Sequence, residues 1–265
     1  MEPFVKPSVS VMIPTSFGGF TYLAALMPGL REECKNSNAE IIIVDNNSKD
    51  GTTNFLSAYD CTLKINNANL GFARGHNQAA RIAQGDYLLL LNNDTVITPG
   101  FINTMKDTFN QDPEIGIVGC LILMMDFQDK VQHAGVMFTE DYLPYELGLE
   151  VPSITPGITI QDPRVKSVRE VPSVTFACAM IKREVWDKVG GLKEEFINGW
   201  EDTDFVLKAK ELGYKVWYNG NAVIKHKKHG TAGRMNYEAQ NRSLFDQLWI
   251  NTSRAKEIIG EKREM

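Results

Sequence analysis

Short apolar runs alternate with stretches of helical length through the first hundred residues of the chain. Ser8 to Ile13, Glu40 to Val44, Cys61 to Ile65 and Asp86 to Leu91 read as strands, the second and fourth apolar enough to be buried on both faces. The segments between them, about Tyr22 to Glu33, Thr52 to Tyr59 and Arg74 to Gln84, have helical length, and Gly85 stands where a C-terminal cap is expected. Thr98-Pro99 marks the start of the next helix, with Thr98 as N-cap and Pro99 in the first turn. Strand and helix in alternation predict an α/β fold with a Rossmann-like, mostly parallel sheet covered by helices on both faces. In such sheets the loops beyond the carboxyl ends of the strands bind ligands.

The second half is less regular. Ile115 to Met124, Val131 to Phe138 and Phe176 to Lys182 read as strands, and so do Tyr214 to Tyr218 and Ala222 to His226. Thr139 to Glu170 holds four prolines and no period, and is expected to be a long loop or hairpin region. Arg183 to Val189 predicts a short helix stopped by Gly190-Gly191. Asp202 to Leu212 predicts another stopped by Gly213, with Phe205, Ala209 and Leu212 on its apolar face. Asn236 to about Ile259 reads as a terminal helix. The expected organisation is one domain over residues 1–265: a ligand-binding half (8–111), an irregular second half (112–230) and a C-terminal helical segment (231–265).

Charge narrows the function classes. The 265 residues include 28 Lys plus Arg against 33 Asp plus Glu, a net charge of −5, which argues against a nucleic-acid partner. The longest apolar stretch, Ile115 to Met125, is too short to span a bilayer, and the N-terminus lacks the basic and apolar regions of a secretory signal. Cys34, Cys61, Cys120 and Cys178 are scattered, without the paired spacing of a zinc or redox motif, so reduced thiols in cytoplasm are expected. Sequons occur at Asn46, Asn93, Asn241 and Asn251, two of them inside candidate ligand loops that glycosylation would block. Residues 222–265 carry nine Lys or Arg against five Asp or Glu. A solvated helix is the preferred reading of that excess, and peripheral attachment to an anionic inner membrane face is the alternative.

Three acidic loops carry candidate chemistry: Asp45-Asn46-Asn47-Ser48-Lys49-Asp50-Gly51, Asn92-Asn93-Asp94 and Glu201-Asp202-Thr203-Asp204. Each alone fits a local role, as an Asx turn at Asp45, a turn cap at Asp94 or an N-cap at Asp202. A Gly-x-Gly-x-x-Gly turn after the first strand, which a dinucleotide oxidoreductase needs, is absent from Pro14-Thr15-Ser16-Phe17-Gly18-Gly19.

Taken in order, these loops resemble family 2 glycosyltransferases, inverting nucleotide-sugar enzymes of the GT-A fold, and among them the rhamnosyltransferase-like branch. The resemblance runs from Val9 to about Gly230. It rests on Ser10 to Thr15, Ile42 to Thr52, Asn69 to Asn77, Gly85 to Thr95, Val189 to Leu192 and Trp200 to Asp204. It implies that Pro14 and Thr15 border the nucleoside and that Asp45 accepts a hydrogen bond from the base, whose imide N–H suits a carboxylate. Asn69 and Arg74, at a helix start, would steady the diphosphate, with a solvated surface cation the equal alternative for Arg74.

Asn92-Asn93-Asp94 takes the place of the family's metal motif. Asp94 would bind Mn²⁺ or Mg²⁺ and Asn93 the donor, although Asn92 replaces the first acid of that motif. His226, or alternatively His229, would complete the metal site; a surface histidine among lysines is the competing reading. Asp202 would be the general base and Glu201 would orient the acceptor or the helix start. Trp200 would stack on a sugar ring or anchor its loop. Gly191-Leu192-Lys193-Glu194, Gly199-Trp200 and Lys208 depart from the family pattern on the acceptor side. The expected partners are a nucleotide-diphospho-sugar (UDP- or dTDP-linked) and a hydroxyl of a glycan or lipid-linked acceptor. A non-catalytic nucleotide-sugar or glycan binding module on the same fold is the alternative, against which the joint presence of Asp45, Asp94 and Asp202 argues.

Overall fold

The computed structural model describes residues 6–16, 18–127, 130–227 and 237–260. The four strands expected first are β1 (Val9–Thr15), β2 (Ala39–Asp45), β3 (Thr62–Ile65) and β4 (Tyr87–Leu91). They are separated by helices α1 (Phe20–Ser37), α2 (Thr52–Leu56) and α3 (Gly71–Ile82). After β5 (Thr95–Ile97) and α4 (Phe101–Thr108) come β6 (Ile115–Met124), β7 (Val131–His133), β8 (Val136–Phe138), β9 (Pro144–Glu146), β10 (Val168–Glu170) and β11 (Cys178–Lys182). Helices α5 (Arg183–Val189) and α6 (Glu201–Glu211), strand β12 (Lys215–His226) and helices α7 (Glu238–Phe245) and α8 (Arg254–Ile259) follow.

One ten-stranded sheet has the main order β10-β12-β6-β11-β4-β1-β2-β3. Along that path β11 and β10 run against the others. The period of two splits the strand residues between two cores. Val9, Val11, Ile13, Leu89 and Leu91 meet Leu23, Met27 and Leu30 of α1 and Phe101 and Met105 of α4. Met12, Val44, Leu88 and Leu90 meet Ala73 and Ala79 of α3, Trp186 of α5 and Phe205 of α6 on the opposite face. Chain order reverses between β1 and β4, since β2 and β3 extend the sheet on one side of β1 and β4 lies on the other. That reversal opens a crevice beyond the carboxyl ends of β1 and β4.

Several local expectations are corrected. Gly85 does not cap α3, which ends at Ile82 with Ala83 extended. It sits against β1 instead, where a Cβ would lie 2.6 Å from the Ser10 nitrogen. The N-cap of α4 is Gly100, in a left-handed conformation, while the Thr98 hydroxyl bonds the Val223 carbonyl at 2.7 Å. The run Val131 to Phe138 is split into β7 and β8 at Gly135, whose φ of +107° breaks the extended chain. The proline-rich stretch contains β9, which pairs with β8, and β10, which joins the sheet edge. The two runs expected at Tyr214 to Tyr218 and Ala222 to His226 merge into the single strand β12 (Lys215–His226), with a register shift between Asn219 and Val223. Leu212 is exposed, and the apolar face of α6 is Phe205, Val206 and Ala209. The C-terminal helix is interrupted by a π-helical turn, Asp246–Ile250, and by Ser253 at φ +61°.

Two histidines are fully buried in this core. Burial pushes His76 down to about 3, and burial with the nearby Arg169 charge does the same to His133. Each folded-state value lies below the ordinary histidine value, so the unfolded chain binds more protons between the two. Stability from these groups is complete above about pH 6.5 and declines as pH falls toward about 3, by up to about 1.4 kcal/mol per pH unit for each. Urea denaturation should therefore show stability falling from pH 7 to pH 5, and an unchanged midpoint over that interval would contradict neutral burial of both rings.

Candidate functional site

A cleft of 530 Å³ opens at the crevice. Pro14, Thr15 and Ser16 line it from the end of β1, Asn92, Asn93 and Asp94 from the end of β4, and Asn46 and Asn47 from the loop after β2. Gly71 and Phe72 come from the start of α3 and Asn198 from the segment before α6. Polar turn residues at strand ends thus converge because the parallel strands carry them to one edge.

Hydrogen bonds fix this wall. The Asn93 amide donates to the Thr15 hydroxyl at 2.8 Å, tying the ends of β4 and β1 together. Asp45 is fully buried, and its carboxylate accepts from the Ser48 amide at 3.0 Å and the Thr53 hydroxyl at 3.4 Å. It shapes the loop that presents Asn46 and Asn47. Asn69 accepts the Gly71 amide at 3.0 Å and borders the N-terminus of α3. Arg74, one turn further on, pairs with Glu194 at 3.1 Å and is not among the lining residues. Asn77 clamps Leu192 through its oxygen and nitrogen, both at 2.9 Å, which docks the Gly191 to Glu194 segment on α3.

Asp94 and His226 meet inside the cleft wall, Oδ1 and Nε2 lying 3.0 Å apart. Strand β5 is paired with the last residues of β12, and Thr95 faces His226, so sheet register brings the two side chains together. His226 is buried, which removes the surface-histidine reading. His229 lies outside the described residues. The Asn92 Nδ2 group stands 3.2 Å from His226 Nε2, and Nδ1 meets both amide atoms of Gln132, Nε2 at 3.0 Å and Oε1 at 3.2 Å. With Nδ1 accepting from the Gln132 amide, Nε2–H donates to the Asp94 carboxylate; with Nδ1 donating to Gln132 Oε1, Nε2 turns its lone pair toward that carboxylate. In the second tautomer a cation can take the place between the two acceptors that the imidazole proton takes in the first. A carboxylate and an imidazole suit a divalent ion whose remaining positions are filled by phosphate oxygens and water. Among the described residues no cluster of three or more His, Cys, Asp or Glu side chains forms a protein-only cage.

The third acidic loop approaches from the other side. The Asn92 amide donates to Ala177 at 2.9 Å, and the neighbouring Phe176 amide donates to Asp202 Oδ2 at 3.4 Å. Asp202 lies in the first turn of α6 and is not its N-cap; that position is Trp200, at φ +74°. Asn198 is also left-handed, at φ +51°, so the segment Asn198 to Trp200 holds two strained non-glycine residues at the cleft rim. Glu201 accepts the Gly199 amide at 2.6 Å. The Asn241 side chain brackets Ile197, accepting its amide at 3.0 Å and donating to its carbonyl at 2.9 Å. Trp200 packs on Phe245 with ring centroids 4.8 Å apart and donates to Glu238 at 3.1 Å, so α7 anchors its ring.

Residues without a sequence signal contribute as much as those with one. Gln132 orients His226 from 94 positions away, and Tyr22, Asn198 and Phe72 line the cleft. The sequons at Asn46 and Asn93 lie in the cleft wall, and Asn241 is buried. Among the described residues no helix is long and apolar enough to cross a membrane.

The sequence profile of "Glycosyl transferase family 2" matches residues 10–190. An O-antigen biosynthesis protein of Myxococcus xanthus is 29% identical over 237 residues, which cover 86% of this chain and 18% of that protein. The crystal structure of GalNAc-T7 with UDP, GalNAc and Mn²⁺ superposes with a TM-score of 0.71 at 16% identity, over 92% of this chain and 48% of that one. The mannosyltransferase PcManGT of Pyrobaculum calidifontis, in complex with GDP-Man and Mn²⁺, gives 0.63 at 20% identity, over 93% and 65%. The chain therefore spans less than two thirds of the length of each of these relatives. The shared fold is the GT-A arrangement, a mostly parallel central sheet between helices.

Proposed function

Since the chain belongs to glycosyl transferase family 2, we propose that its cleft binds a nucleotide-diphospho-sugar and transfers the sugar with inversion to a hydroxyl of a glycan or lipid-linked acceptor. The observation that carries this reading is the Asp94–His226 pair, a carboxylate and an imidazole 3.0 Å apart at the crevice between β1 and β4. Asp94 and His226 would hold Mn²⁺ or Mg²⁺, which supplies Lewis-acid neutralisation of the departing diphosphate. The crystallised relatives named above carry Mn²⁺ with UDP or with GDP-Man, which supports a divalent ion here.

The chain's own groups divide the remaining work. Thr15, Asn46, Asn47 and Asn93 offer hydrogen-bonding groups for the nucleoside, within a loop whose shape Asp45 fixes. Amides at the start of α3, near Asn69, face the phosphates. On the acceptor side Asp202 takes the hydroxyl proton as the new oxygen–carbon bond forms and the bond from sugar to diphosphate breaks. A carboxylate is too weak a base to deprotonate an alcohol beforehand, so the proton moves late. Glu201 and Asn241 hold the preceding segment in place. The likeness to an O-antigen biosynthesis protein supports an acceptor among surface polysaccharides or their lipid-linked precursors. Four free cysteines suit a reducing cytoplasmic setting, with the basic C-terminal segment available to an anionic membrane face.

Incubation with a panel of UDP-, dTDP- and GDP-linked sugars, with and without Mn²⁺, tests the proposal. Metal-dependent release of the nucleotide from one donor is the expected result; absence of both release and binding across the panel would overturn it.

A further inference from the structure

Among the described residues, those lining the cleft include one carboxylate, Asp94, and no lysine or arginine. A nucleotide diphosphate esterified to a sugar brings two negative charges. Even with a divalent cation bound, those two charges and Asp94 leave the site one charge negative, in a cleft partly shielded from water where such an excess is costly. Arg74, the cation expected from the sequence, is held by Glu194 at 3.1 Å. A compensating charge close to that lining would offset the excess.

Lys227, like Arg74 not itself among the lining residues, is placed for that task by its neighbours Asp94 and Tyr22, which are. It directly follows β12, and its amide donates to the Asp94 carbonyl at 3.0 Å, which fixes its backbone beside the Asp94 residue. Its Nζ stands 5.8 Å from the ring centroid of Tyr22, a residue of the cleft lining. The side chain is half-buried, and among the described residues it has no carboxylate partner within ion-pair distance. Lys225, two positions earlier on the same strand, is exposed instead. The ring of Tyr22 holds the ammonium by a cation–π contact without neutralising it, leaving its charge available to an anion.

We propose that Lys227 is a diphosphate-binding residue, its ammonium neutralising the charge left on the nucleotide diphosphate beside Asp94. This rests on the reading of the cleft as a nucleotide-diphosphate site. During transfer the electron pair of the breaking bond from sugar to phosphate passes to the diphosphate oxygen, and Lys227 stabilises that charge by Coulomb attraction without giving up a proton.

The test compares the full-length chain with Lys227→Met, which keeps the apolar stem, and Lys227→Arg, which keeps the charge. Calorimetric titration in Mn²⁺ would use UDP, dTDP and GDP, and saturation-transfer NMR the matching nucleosides. Lys227→Met should bind the preferred diphosphate about tenfold more weakly, with a shallower salt dependence. Lys227→Arg should recover most of that affinity, and all three proteins should bind the nucleoside alike. Unchanged diphosphate affinity in Lys227→Met, or equal loss for nucleoside and diphosphate, would overturn the proposal. If the parent chain binds none of the three diphosphates, the proposed function itself fails and this inference with it.

Discussion

Asp202→Asn should fold as the parent chain does, bind nucleotide diphosphate with unchanged affinity and lose donor turnover by about 10²- to 10⁴-fold, the usual contribution of a positioned general base. The substitution keeps the side-chain oxygen that accepts the Thr203 amide at 2.8 Å, so the first turn of α6 loses little. What it removes is the capacity to take a proton from the attacking hydroxyl. Donor hydrolysis, in which water replaces the acceptor, measures the effect before any acceptor is identified. Turnover within a few-fold of the parent would remove Asp202 from the mechanism and leave the donor site standing.

Asp94→Ala is expected to act on the other side of the same reaction. Its side chain faces His226, whereas the contact that holds Lys227 uses its backbone carbonyl, so truncation should spare the fold. Loss of this carboxylate leaves a single imidazole for a hard cation. Mn²⁺ affinity, read from the EPR signal of the free ion, should fall about a hundredfold, and metal-dependent nucleotide release by at least about as much. A variant that retained both would show that Asp94 only closes a turn.

The contrast between these two residues and their supports explains what the sequence discloses. Asp94 and Asp202 follow a buried strand and open a helix, positions that short-range patterns mark well. β6 and α5 occupy the expected residues, Ile115–Met124 and Arg183–Val189, because an uninterrupted apolar run and a Gly190-Gly191 stop are local signals. Helix caps are less legible in the sequence for a physical reason. Glycines in the left-handed conformation start α2 and α4, at Gly51 and Gly100, in place of the side-chain caps on which sequence reading depends. The break of one apolar run into β7 and β8 depends on a single backbone angle at Gly135 that apolar periodicity does not report.

Partners far apart in sequence were the least accessible. Gln132 is recognisable only beside His226, and the Arg74 side chain is drawn away by Glu194, 120 positions later in the chain. Lys227 looks like one more surface lysine until Tyr22 and Asp94 stand next to it. Asp45 illustrates the converse. Its position at the end of β2 is plain in the sequence, yet full burial and two local hydrogen bonds give it the work of holding Asn46 and Asn47 at the cleft. Parallel strands set the place of the site, and long-range register supplies its chemistry.

The most direct measurement is a crystal structure of the chain with Mn²⁺ and the nucleotide diphosphate it binds best, the metal located by its anomalous scattering. One manganese peak is expected beside Asp94 Oδ1 and His226 Nε2, with the diphosphate next to it and the nucleoside against Pro14, Thr15 and Asn46. Nucleotide bound outside the crevice between β1 and β4, or manganese held without Asp94 and His226, would contradict it.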